Sequence, residues 1–203
     1  MIHILYRVQS QFNYMNPDDL AKVIANIPTI KIRKWKDGDI AMLFKILYWC
    51  ALRPGEGIRL KKEDFNLGER EVYLGQTKTI KMDKAPIPML FVVELGSWLE
   101  TKPVGPLFET EKHEPLTYDT FYTWLKRLGK LLNITAWITP QSETGEKTVG
   151  HIFRKSIGKD MIDGTYGKKI PYEIISKQLR HKKPSITIDH YLRASIEAVK
   201  EVW

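Results

Sequence analysis

One stretch constrains the fold of this 203-residue chain more than any other: "DGDIAMLFKILYWCAL", residues 37–52. It is apolar nearly all the way round a helical wheel, so it has no face for water and must sit inside a core with other elements packed around it. Lys45 interrupts it, it is too short to span a bilayer, and it does not stand where a signal peptide would. The chain is therefore read as soluble and unexported. "RPGEG" ends the segment at Arg53, and its Pro and Gly start another short helix running to Lys62.

Around this helix the pattern predicts further helices. "NPDDLAKVIANIP" (16–28) has Asn16 as N-cap, Pro17 at the first position, two acids in the first turn, and Leu20, Val23, Ile24 and Ile27 on one face. Residues 89–100, 117–133, 148–163 and 171–181 and the C-terminal "LRASIEAVKEVW" also read as helices, and 134–147 as a loop. In 117–133 the stripe Tyr118, Phe121, Tyr122, Leu125, Leu128 and Leu132 reads as core. Only residues 70–89 change period: Val72 and Leu74, then Ile80, Met82, Ile87 and Pro88, fit two or three short strands around a basic turn. The fold class is mainly α with a small antiparallel β-sheet (α+β). Residues 1–15 read as a leader or linker and 16–203 as one domain with a C-terminal tail helix.

Composition narrows the partners. Thirty-two Lys and Arg against 24 Asp and Glu give a net charge of +8, and the pI is near 9.4. That charge favours a polyanion, nucleic acid first. The basic residues recur along the whole chain, so a cationic surface has to be assembled by folding, which suits a groove better than a disordered arm. Cys50 is the only cysteine, which excludes an internal disulfide and a cysteine-based zinc site and favours a reducing, intracellular setting.

Several residues carry chemistry in sequence order. Arg53 sits where the buried helix ends, and a guanidinium there needs an anionic partner; Glu56, three residues on, supplies one for a purely structural pair. Lys78 lies in "GQTKTIK", where the β segment turns and can carry a cation into a groove. His151 and Arg154, spaced i and i+3, would present two donors on one helix face. His181 ends the next helix, where the dipole favours an imidazolium. Tyr191 follows in "LRHKKPSITIDHYLR" (179–193). Each has an ordinary structural explanation taken alone.

The ordered set Arg, Lys, His-x-x-Arg, His, Tyr resembles the tyrosine recombinase (phage integrase) family. The matching pieces are "ALRPGEG", "GQTKT…APIP", "HIFRKSIG", "LRH" and "HYLR", and together they cover about residues 16–195. The Lys- and Ile-rich style of the pieces is similar to archaeal viral and plasmid integrases. The resemblance implies the tyrosine recombinase catalytic-domain architecture. It also implies roles: Arg53 and Arg154 clamping a scissile phosphate, Lys78 as general acid, His151 and His181 as phosphate donors or proton-transfer partners, Glu56 orienting Arg53, and Tyr191 as nucleophile. Three departures stand out. Arg180 occupies the place of a glycine before the histidine, His181 precedes Tyr191 by ten residues where nine is commoner, and the chain leaves no room for a separate N-terminal core-binding domain.

The chemistry is coherent with those roles. A phenol of pKa about 10 needs neighbouring cations or a base to attack at neutral pH. Guanidinium and imidazole donors can stabilise the charge gathering on phosphate oxygens without a metal or other cofactor. The implied function is site-specific recombination, most simply DNA integration, through a 3′-phosphotyrosyl intermediate. The implied partners are double-stranded DNA attachment sites and a homo-tetramer on DNA, with no membrane, in the host cytoplasm. The rival readings are a type IB topoisomerase, which shares the chemistry, and a non-catalytic basic DNA-binding module. A metal-dependent nuclease fits less well, because no paired acids flank the histidines.

Overall fold

The computed structural model describes residues 14–15, 17–30, 35–75, 83–110, 112–133 and 149–181. Lys78, Tyr191, Asn16, Ile80, Met82, the 134–147 loop and the C-terminal tail helix lie outside the described residues. So does the leader up to residue 13.

The apolar stretch forms α2 (Asp37–Trp49), and its position follows from its composition. Leu43, Phe44, Ile46, Leu47 and Tyr48 have no exposed surface, and neighbours approach from several directions. The Phe44 ring meets Phe121 of α5 (Tyr118–Leu131) edge-on at 5.9 Å and Phe153 of α6 (Ile152–Asp163) at 5.1 Å. Truncating a phenylalanine so enclosed typically costs about 3–5 kcal/mol. Before α2, α1 (Pro17–Ala25) buries Leu20 and Val23 and gives way to a 3-10 turn at Ile27–Ile30, shorter than the 16–28 helix expected. Pro28 explains the change, since it has no N–H for an α-helical bond. Just upstream, Met15 is in the core and its backbone N–H donates to Ser156 Oγ of α6 at 2.8 Å.

After α2 the helix expected to reach Lys62 is a single turn, α3 (Pro54–Gly57), and a 3-10 turn follows at Lys62–Asp64. Between them the chain is drawn away: the Leu107 N–H donates to the Leu60 carbonyl, and Lys61 bridges to Pro106. The β region is a three-stranded antiparallel sheet in the order β1 (Phe65–Asn66), β2 (Glu71–Leu74), β3 (Asp83–Pro86). Val72 opposes Ala85 and Leu74 opposes Asp83. The period-2 pattern turns Val72 and Leu74 inward. β1 was not anticipated, because two residues are too few to show a period.

α4 (Met89–Glu100) and α5 match expectation closely, and α5 starts at Thr117, whose hydroxyl accepts the Thr120 N–H. α6 and α7 (Tyr172–Gln178) complete the described chain. Among the described residues there are thus seven α-helices and one small sheet, the mainly α architecture that the sequence predicts.

Candidate active site

Two helix ends and two helix starts build the site. α2 stops in a Schellman arrangement: the Ala51 N–H reaches the Tyr48 carbonyl and the Leu52 N–H reaches back to Leu47. Ala51 takes φ +52° to do so, in the left-handed region that disfavours a side chain by roughly 1–2 kcal/mol. This turn aims the Ala51 carbonyl at α6, where it accepts a hydrogen bond from Arg154 Nη1 at 2.8 Å. Arg154 is only 4% exposed, so its orientation is fixed by packing as well as by that carbonyl.

Arg53, two residues on, starts α3. Its backbone N–H donates to Glu56 Oε2 at 2.7 Å and its Nη1 to Glu56 Oε1, also at 2.7 Å. Glu56 therefore caps the turn and grips the guanidinium at once. The Arg53 side chain nonetheless keeps 38% of its surface exposed. The expected Arg–Glu pair exists, but it is an oriented and accessible arginine, not a sealed one.

His151 precedes α6 as its N-cap, in a 3-10 turn at Val149–His151, instead of sharing the α-helix with Arg154. A Cβ on Gly150 would fall 2.4 Å from Pro54 Cγ and 3.2 Å from the Phe121 ring. Only glycine lets this turn lie so close to α3. The approach brings His151 under the influence of both arginines. Burial holds its imidazole below the ordinary histidine value, Arg154, Arg53 and Lys155 push the same way, and Glu56 opposes them. It is therefore mostly neutral at pH 7, with one ring nitrogen able to accept a proton.

α7 ends as α2 does. The Arg180 N–H reaches the Lys177 carbonyl and the His181 N–H reaches Ser176, and Arg180 takes φ +49°. This is the position where helices commonly carry glycine, which gives a physical reason for the glycine that Arg180 replaces. His181 follows directly and is half-buried. The Arg180 side chain is 8% exposed; its Nη2 lies 2.5 Å from Glu56 Oε2 and its Nε 3.1 Å from Asp83 Oδ2 of β3. The Asp83 contact is an ion pair whose angles fall short of a hydrogen bond. Near it, burial pushes the Cys50 thiol up to about 12, with Arg180 opposing, so Cys50 stays protonated and inert.

Of the residues singled out by sequence, Arg53, Glu56, His151 and Arg154 come together, and His181 adjoins the Arg180 that reaches Glu56. Lys78 and Tyr191 lie outside the described residues. Sequence reasoning did not assign Ala51, Gly150, Asp83 or Arg180 to the site. Ala51 acts through its carbonyl, which leaves no side-chain signal. The signals for Gly150 and Arg180 were a glycine directly before a histidine and an arginine where glycine is usual.

This arrangement can hold an anion: Arg53 and Arg154 both lie within electrostatic reach of a neutral imidazole, and no group of three or more His, Cys, Asp or Glu that could hold a metal occurs among the described residues. The model of the phage integrase family matches residues 13–197. No curated protein sequence matches at a significant level. Solved structures similar in fold include the XerA recombinase, 18% identical with a TM-score of 0.63 over 93% of this chain and 64% of that one. The Tn1549 transposon integrase in complex with circular intermediate DNA is 14% identical with a TM-score of 0.66, over 95% of this chain and 68% of that one. The catalytic domain of bacteriophage HP1 integrase is 15% identical with a TM-score of 0.57, over 92% and 94%. The chain thus spans a little under two thirds of the XerA chain but nearly the whole of the HP1 catalytic domain.

Proposed function

The chain belongs to the phage integrase family, and from that premise we propose that it cuts and rejoins duplex DNA at specific sites, as the catalytic domain of an integrase. The observation that carries the reading is the convergence of a partly exposed Arg53, a carbonyl-held Arg154 and a neutral His151 where α2 ends and α6 begins. Two guanidiniums so placed can bind the non-bridging oxygens of a phosphodiester and gain strength as charge develops there.

In the proposed reaction the Tyr191 hydroxyl passes its proton to a base, a task assigned to the neutral His151 imidazole, and its oxygen attacks the scissile phosphorus. The P–O5′ bond breaks as the P–O(Tyr) bond forms. The leaving 5′ oxygen takes the bond's electron pair and receives a proton, for which Lys78 is the assigned donor. The 3′-phosphotyrosyl linkage keeps the bond energy, so a 5′-hydroxyl of another strand reverses the step without ATP. His151, neutral and beside both arginines, suits proton transfer or a hydrogen bond to the phosphate, and His181 is assigned the same kind of task. Exchange between two duplexes requires four active sites, so the acting form is a homo-tetramer on paired attachment sites. The integrated DNA is that of a virus or plasmid, and the working location is the DNA of the host cytoplasm.

The test is a nicked suicide DNA carrying an attachment site. The expected result is a denaturation-resistant protein–DNA adduct that is lost in Tyr191→Phe while DNA affinity persists. An adduct formed by Tyr191→Phe, or none by the unmutated chain, overturns the reading. Affinity should fall with salt with a log–log slope of about −0.9 per phosphate neutralised.

A further inference from the structure

The proposed chemistry leaves Arg180 without a task, yet the fold holds it under unfavourable terms. Its backbone sits at φ +49°, where a side chain is disfavoured, and its guanidinium is 8% exposed, away from the water that would solvate it. Burial pushes its pKa down, the carboxylates of Glu56 and Asp83 push it up, and Arg53 beside it pushes it down. Two carboxylates from two other elements, α3 and β3, offset the desolvation in part.

Those contacts define what Arg180 does. Glu56 Oε2 receives both the Arg53 N–H and Arg180 Nη2, which together fix the plane of the carboxylate. Oε1 is thereby presented to Arg53 Nη1. With Arg53 alone on it, Glu56 would neutralise the very charge a phosphate needs. Shared between two guanidiniums, it orients Arg53 while quenching less of its charge. The second contact, to Asp83, ties the end of α7 to the first residue of β3, five positions after Lys78.

We propose that Arg180 is a positioning residue for strand cleavage, holding Glu56 and through it Arg53, and fastening the start of β3 to the end of α7. The inference rests on the reading of Arg53 as a phosphate ligand.

The experiment measures adduct formation in single turnover at saturating suicide DNA, with DNA affinity and melting temperature measured separately. Arg180→Gly suits the backbone and deletes only the side chain. Its rate should fall roughly 10–100-fold, the scale of a small misplacement of a catalytic group, with affinity within about twofold because the phosphate contacts remain. Arg180→Lys, which keeps a charge, should recover part of the rate. In a Glu56→Gln background Arg180→Gly should slow the reaction by less than it does alone, since the part of its effect that passes through Glu56 is already lost and only the Asp83 contact remains to be removed. An unchanged rate in Arg180→Gly, or full additivity with Glu56→Gln, overturns the inference. If Arg180→Gly does not fold, Arg180→Lys at an unchanged melting temperature decides the matter: a slower rate supports positioning, and the rate of the unmutated chain refutes it. Failure of the unmutated chain to form an adduct would bring down the functional reading and this inference together. An adduct from the unmutated chain, with Arg180→Gly equally fast, would bring down this inference alone.

Discussion

Among the described residues, four helices end on a residue in the left-handed conformation, and they fall into two groups. Away from the site, α6 closes on Gly164 at φ +76° and α5 on Asn133 at φ +55°, two residue types that tolerate that geometry. Beside the arginines, α2 closes on Ala51 and α7 on Arg180, which do not. The same backbone device is thus built from accommodating residues where only chain reversal is needed and from strained ones where a carbonyl or guanidinium must be delivered. Strain of this kind, about 1–3 kcal/mol per residue, persists only where the surroundings over-determine the conformation. Here a buried arginine on the Ala51 carbonyl and two carboxylates on Arg180 do so.

The comparison is tested most severely at the arginines. Arg154→Ala and Arg53→Ala should each lower adduct formation roughly 10²–10³-fold, the scale for removing one donor to a developing oxyanion. They should differ in stability. Arg154→Ala removes the donor to the buried Ala51 carbonyl and should destabilise by about 1–3 kcal/mol. Arg53→Ala should unfold little, because Glu56 keeps the backbone N–H of residue 53 and Arg180 Nη2. Kinetics paired with melting curves read both effects, and a collapsed Arg53→Ala would show that Arg180 does not hold Glu56.

Next in size comes Gly164→Ala. A Cβ there would lie 2.9 Å from the Gly167 carbonyl oxygen in a left-handed backbone, so a loss of about 1–3 kcal/mol is expected. Cleavage by the folded fraction should be unchanged. Slower cleavage would erase the distinction between the two groups of helix ends.

The pH dependence of stability separates another pair, His151 in the site and Asp160 behind it. His151 has its pKa depressed, burial first, so below pH 6.5 the unfolded chain binds more protons and stability falls as pH drops through that range. Asp160 accepts hydrogen bonds from Tyr48 and Thr165, yet burial raises its pKa above 3.8. The folded chain therefore binds more protons just above that value, and its contribution is lost as pH rises. Melting temperatures between pH 4 and 7 should show His151→Asn flattening the upper part of the profile and Asp160→Asn the lower part, with opposite signs.

The smallest effect belongs to Ala51→Gly. Relief of the left-handed strain is set against the loss of a buried methyl and a more flexible unfolded chain, so the melting curve should move by less than about 1 kcal/mol. A large loss would mean that the Ala51 methyl, not its carbonyl, is what the site needs.

Much of this was legible in the residues. The all-round apolar run fixed α2 at the centre, because a helix without a polar face has nowhere else to go. Thr117 and the stripe after it marked α5, and Val72 with Leu74 marked a strand. The ordered set Arg53, Lys78, His151, Arg154, His181 and Tyr191 marked the family. What the residues did not show has one cause: contacts between segments far apart in the chain. Arg180 reaches Glu56 across 124 positions and Arg154 reaches Ala51 across 103, and no local period or propensity encodes such distances. Sequence set which side chains could serve, through their charge and hydrogen-bonding capacity. Only tertiary packing decided that α3 stops after one turn, that His151 stands before its helix, and that one carboxylate on Glu56 serves two arginines, because each depends on which distant backbone arrives beside it.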